Sequence, residues 1–173
     1  MKLAYVTVSG RGLTDDLIEG IVCALVSDGL RIAGTVRVSP VDLDAHPCDM
    51  DLQVLPDGPA FRISQQLGSA ARGCRLDGGT MEAIAAEVEA RLSGADLLII
   101  NKFGKQEAQG RGLCPAIMRA IEAGIPTLVG VNEMYTPIFQ TFADGMAEAL
   151  HPDLRSVRDW YERARMHRLA AAV

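Results

Sequence analysis

A chain of 173 residues with a formal charge of −5, 49% hydrophobic and only 5% aromatic residues, is sized for one domain over 1–173 built on an aliphatic core. That charge argues against a general nucleic-acid binder, and no apolar run reaches the roughly 20 residues of a bilayer-spanning helix. Met1-Lys2-Leu3-Ala4 enters strand-like sequence at once, with no room for a signal peptide, so a cytoplasmic location without membrane insertion is expected. Cys23, Cys48, Cys74 and Cys114 form no CxxC pair, and His46 with Cys48 gives too few ligands for structural zinc. Neither a disulfide framework nor a metal is expected.

Leu3 to Val8 reads as an apolar strand and Ser9-Gly10-Arg11-Gly12 as a turn. Thr14 is placed to cap a helix with Asp15 and Asp16 in its first turn and Leu17, Ile18, Ile21, Val22, Leu25 and Val26 on one face, Cys23 also lying on an apolar side. Strand, glycine turn and helix are the setting of a phosphate loop, which takes G-x-x-x-x-G-K-[ST] so that a lysine reaches the terminal phosphates and a hydroxyl holds magnesium. Here Leu13 stands in the lysine's place, only Thr14 keeps the hydroxyl, and Asp15 and Asp16 would repel a polyphosphate. Taken alone, the segment reads as a tight strand-to-helix turn.

Leu30 to Val38 reads as a second strand, completing a right-handed βαβ unit. Residues 39–49 are loop-like around Pro40 and Pro47. Met50, Leu52 and Val54 alternate with polar residues, Pro56-Asp57-Gly58-Pro59 turns the chain, and Phe61 and Ile63 alternate again, which predicts a β-hairpin at or beside a sheet edge. Residues 64–77 follow neither period, and Gln65, Gln66, Arg72 and Arg75 stand there among small residues, with Arg62 just before them. Two readings fit: guanidinium groups clamping an oxyanion, or a solvated surface loop.

Thr80 is the expected cap of a helix with Met81, Ile84, Ala85, Val88 and Leu92 inward and Gly94 at its end. Leu97 to Ile100 is an unbroken apolar run, the pattern of a strand covered on both faces, and it breaks into Asn101, Lys102, Gly104, Lys105, Glu107 and Arg111. Ligands of open α/β sheets bind beyond the carboxyl ends of strands, where this polar cluster would lie. Pro115 opens a helix with Ile117, Met118 and Ile121, closed by Gly124. Pro126 to Val131 is a further buried strand leading to Asn132, Glu133 and Tyr135. Thr136-Pro137 starts a helix with Phe139, Phe142 and Met146 toward the core. A final helix over 153–169 sets Leu154, Val157, Trp160, Tyr161 and Ala164 against Arg155, Arg158, Arg163, Arg165 and Arg168. Its basic face reads as solvated, with a dimer contact or docking strip as the alternative. The fold class expected is α/β: three layers, a mostly parallel sheet with flanking helices, plus a β-hairpin.

The blocks FRISQQLGSAARGCRLD, ADLLIINKFGKQEAQGRGL and AGIPTLVGV together resemble the bacterial domain-of-unknown-function family numbered 2478 over nearly the whole chain. Its members are similar to small P-loop nucleoside-triphosphatases and tend to be encoded beside molybdate-transport genes. The resemblance implies a P-loop-NTPase-like fold. Those enzymes carry a strand end resembling DEIGKME, whose first acid supports magnesium and whose second helps activate water. Asn101 and Lys102 take the two acidic positions here, while Gly104, Lys105 and Glu107 are retained. With the phosphate-loop lysine also missing, classical NTP hydrolysis is not expected, and the fold is read as catalytically degenerate.

The first reading is an accessory protein that binds a small anion, molybdate or a related oxyanion on the family's gene neighbourhood and a nucleotide on its ancestry. Ser9, Gly10, Arg11, Gly12, Thr14, Arg62, Ser64, Gln65, Arg72, Arg75, Asn101, Lys102, Gly104 and Lys105 form the candidate binding set. Glu107 is the candidate internal partner for the cations. A second reading makes the chain a divergent phosphohydrolase with Glu107 as base. A third makes it a ligand-free interaction module, a homodimer or the partner of a transporter component.

Overall fold

The fold is described for residues 2–38, 51–64 and 77–170 of a computed structural model, for backbone alone at 168–170. The candidate ligands Gln65, Arg72 and Arg75 lie outside the described residues, as do His46, Cys48 and Cys74.

The elements are β1 (Leu3–Val6), α1 (Leu13–Ser27), β2 (Ile32–Val38), β3 (Asp51–Leu55), β4 (Ala60–Arg62), α2 (Gly78–Ala90), β5 (Leu97–Phe103), α3 (Cys114–Glu122), β6 (Thr127–Val131), α4 (Thr136–Ala143), β7 (Ala147–Ala149) and α5 (Leu154–Ala170). Single 3₁₀ turns at Glu107–Gln109 and Glu133–Tyr135 follow β5 and β6. The strands form one sheet in the order β4-β3-β2-β5-β6-β1-β7. β2, β5, β6, β1 and β7 run parallel, and β3 and β4 add an antiparallel hairpin at one edge, where the alternating sequence put it.

β5 explains the layering. Leu98 and Ile100 face a core built with Ile84, Val88, Ile117 and Phe139 of α2, α3 and α4. Leu97 and Ile99 face the other, built with Ile18, Ile21, Leu25 and Trp160 of α1 and α5. All four β5 side chains are fully buried, each worth about 1.5–3 kcal/mol relative to exposure. Beside them, Gly34 of β2 has φ +125, and a Cβ there would lie 1.8 Å from the Ile99 carbonyl oxygen, so this contact admits only glycine.

Several local expectations are corrected. α1 begins after Gly12, a left-handed N-cap with no side-chain cap, because the Thr14 hydroxyl is turned back onto Val8. α2 is capped by Asp77, whose carboxylate accepts from the Thr80 N–H at 3.1 Å; Thr80 receives the cap. Val26 and Cys23 are exposed, since the inward stripe of α1 runs through residues 18, 21, 22 and 25. α4 stops at Ala143, Asp144 turns left-handed, and Met146, beyond the helix, is 48% exposed. Ala147–Ala149, lacking strand-forming residues, becomes a strand by parallel pairing with β1. On α5, Arg158 pairs with Asp28, Arg163 with Glu148 and Arg165 with Glu162, so much of the basic face carries its own counter-charge. Among the described residues no helix is long and apolar enough to cross a membrane.

Candidate functional site

The parallel strands β1, β5 and β6 end side by side, and the segments leaving them enclose a cavity of about 350 Å³. Gly10, Arg11, Gly12 and Thr14 supply one wall after β1, Lys102 a second at the end of β5, and Asn132, Glu133 and Met134 a third after β6. This is the crevice where an open α/β sheet takes a ligand.

The β1–α1 turn is fixed by its glycines. Gly10 has φ +124, and a Cβ there would meet the Leu13 side chain at 2.8 Å. The Thr14 hydroxyl accepts from the Val8 N–H at 3.1 Å and lies 3.2 Å from the Val8 carbonyl, to which it donates, so it is committed to its own loop. Leu13, at the phosphate-loop lysine position, is 47% exposed.

α1 then turns Asp15 inward, where only 6% of the residue is exposed and it floors the cavity. Its Oδ1 accepts from Asn101 Nδ2 at 2.8 Å; its Oδ2 lies 3.5 Å from Lys102 Nζ and 3.8 Å from Arg37 Nη1. Arg37 also pairs with Asp16. Asn101 is held on three sides: its N–H donates to Thr35 Oγ1 at 3.3 Å and its Oδ1 accepts from the Arg37 N–H at 3.1 Å. Because a backbone N–H can only donate, that bond fixes the amide orientation and directs Nδ2 at Asp15. The amide at the end of β5 thus bonds the carboxylate of a different element, Asp15 of α1.

Glu107 does not partner Lys102. It is 4% exposed, its Oε2 accepting from the Gly104 N–H at 3.0 Å and its Oε1 from the Leu113 N–H at 3.1 Å, so it braces its own loop. Burial raises its carboxyl above the ordinary range, opposed by those backbone bonds. The adjacent Cys114 thiol, which donates to the Glu107 carbonyl at 3.3 Å, is pushed up to about 12 by burial and by the Glu107 charge. Glu107 borders a separate apolar hollow of about 440 Å³ with Ala108, Pro137, Ile138 and Phe142.

Of the candidate set, Gly10, Arg11, Gly12, Thr14 and Lys102 line the cavity together. Ser9 lies exposed in the same turn, and Asn101 is buried behind Asp15. Gly104 and exposed Lys105 follow β5 but do not line the cavity. Arg62 pairs with Asp51 at 3.0 Å in the edge hairpin, three strands from β5, and Ser64 is buried just after it. Sequence reasoning missed Asp15 as the internal partner, and Arg37 with it. The lining role of Asn132 and Glu133 was within reach of the same strand-end rule that selected Asn101.

β1, between β6 and the short edge strand β7, feeds a glycine turn and α1, and the parallel order β2-β5-β6-β1-β7 belongs to a P-loop-nucleoside-triphosphatase-like α/β fold. It matches the crystal structure of THEP1 from the hyperthermophile Aquifex aeolicus at a TM-score of 0.62 and 16% identity, over 94% of this chain and 96% of that one. It also matches the solution structure of a human cancer-related nucleoside triphosphatase at a TM-score of 0.56 and 16% identity, over 86% and 87% of the two chains. At such identities the likeness is one of fold. The chain belongs to the family described as Protein of unknown function (DUF2478), whose model matches residues 3–160. It is 36% identical over 148 residues to the molybdenum import ATP-binding protein ModC 2 of Bradyrhizobium diazoefficiens, a match spanning 85% of this chain but 16% of that relative's length.

Proposed function

We propose that this chain is a non-hydrolysing accessory module of oxyanion handling, which holds a small anion in the cavity between β1, β5 and β6. One observation carries the reading: where nucleotide phosphates would need a lysine, the chain has Leu13, and Asp15 has one oxygen taken by Asn101 and the other beside Lys102, while Arg11 and Lys102 face the same cavity. Cations on the wall then do the work of a magnesium ion, and the open backbone of Gly10 and Gly12 lets a tetrahedral anion approach closely. Arg11 is exposed and makes no ion pair among the described residues, which suits a residue that meets its partner from solution.

Molybdate is the first anion to test, because a relative of this chain is named for molybdenum import. On the same relative, a component of an import system is the proposed partner and the cytoplasm the proposed location.

The test is a thermal-shift series on metal-free protein with molybdate, tungstate, sulfate, phosphate, ATP and GTP, each with and without magnesium. A ligand that binds only the folded state adds about 2.7 kcal/mol at a hundredfold excess over its Kd. Stabilisation by one class of oxyanion without magnesium, lost in Arg11→Ala, is the expected result. No shift with any oxyanion, or a shift with ATP or GTP that requires magnesium, overturns the reading.

A further inference from the structure

We infer that Asp15 is a built-in competitor for the bound anion, a carboxylate that occupies the site's cations from within and thereby sets how tightly the cavity binds and how much charge it tolerates. The inference rests on the anion-binding reading above and gives Asp15 a role toward the ligand that the reading does not assign.

Three observations place it. First, Asp15 is 6% exposed yet forms part of the cavity lining, so its charge acts through a partly desolvated medium where Coulomb terms are strong. Second, its two oxygens are used differently. Oδ1 accepts one well-formed bond, from Asn101 Nδ2 at 2.8 Å, whereas Oδ2 has only Lys102 Nζ at 3.5 Å and Arg37 Nη1 at 3.8 Å, both beyond the 2.7–3.2 Å of a well-formed N–H···O bond. Lys102 is therefore attracted to Asp15 without being locked to it, and with 39% of its side chain exposed it is free to turn toward a ligand. Third, the charged residues of the lining balance: Arg11 and Lys102 against Asp15 and Glu133. Glu133 is exposed and screened by solvent, so Asp15 is the opposing charge an entering anion feels most.

An oxyanion arriving beside Lys102 must share that ammonium with Oδ2 and bear the repulsion of a nearby carboxylate. The repulsion grows with the ligand's own charge. Asp15 thus keeps affinity moderate and exchange fast, and it disfavours highly charged anions such as a nucleoside triphosphate more than a dianion.

Calorimetric titration of molybdate and sulfate into wild type, Asp15→Asn and Asp16→Asn, at fixed ionic strength with EDTA, tests this. Asn keeps an oxygen for Asn101 while removing the charge, and Asp15→Ala repeats the removal should Asn disturb folding; unfolding curves check both variants. The expected result is a Kd at least tenfold lower in the Asp15 variants and changed less than threefold in Asp16→Asn, whose carboxylate lies outside the lining. Binding by Asp15→Asn with none by wild type also supports the inference, as full competition. Wild-type binding with an unchanged or weaker Asp15→Asn overturns this inference alone. Binding by none of the proteins overturns the anion-site reading and this inference with it.

Discussion

The Asn101 side-chain amide donates to the Asp15 carboxylate across 2.8 Å, tying the carboxyl end of β5 to the first turn of α1 behind the cavity. An acid at position 101 would face Asp15 as a second buried carboxylate. Asn101→Asp is therefore expected to destabilise the fold by about 2 kcal/mol at neutral pH. Two carboxylates at that distance raise one folded-state pKa, so the deficit should shrink as pH falls and the shared proton returns. Urea unfolding at neutral and mildly acidic pH checks this; a deficit that grows on acidification would contradict it.

Glu107 carries a second pH signature. Burial raises its carboxyl above the ordinary 4.5, so the folded chain binds that proton more tightly than the unfolded chain. Its contribution to stability is accordingly full at low pH and diminishes as pH rises through the raised value. Glu107→Gln removes the titration, and the stability difference, wild type minus variant, should fall from pH 4.5 toward neutrality. Denaturant midpoints across that range measure it. A difference that rises with pH would show that the Gly104 and Leu113 N–H groups outweigh desolvation.

Gly34→Ala should cost at least roughly 3 kcal/mol, through a strained positive φ and a Cβ driven into the Ile99 carbonyl. The β2–β5 pairing beneath the cavity would be forced apart. Soluble, fully folded protein with an unchanged melting temperature would contradict the register between Gly34 and Ile99.

How much of this was legible in the sequence depended on whether the signal was local. β5 was, because an unbroken Leu97–Ile100 run can be satisfied only by cover on both faces, and so was the hairpin, because its alternation and its proline-glycine turn agree. β7 was not: Ala-Glu-Ala has no strand preference of its own and pairs only because β1 offers an open edge. At the site, Asn101 and Lys102 stood out as departures from an acidic motif, but their partner did not. Asp15 lies 86 positions from Asn101 and reads locally as a favourable first-turn acid. Glu107, the nearer carboxylate, was the natural choice for Lys102, and only the path of 104–113 around its side chain shows it already occupied.

Occupancy of the cavity between the β1–α1 turn and the end of β5 by an oxyanion is the central proposal. The most direct measurement is a crystal structure of the metal-free protein grown with tungstate, located by its anomalous signal. The expected result is a tungsten site bordered by Arg11, Lys102 and the Gly10–Gly12 backbone, absent in crystals of Arg11→Ala. An empty cavity at saturating tungstate, or one that fills only with a magnesium-bound nucleotide, would contradict it.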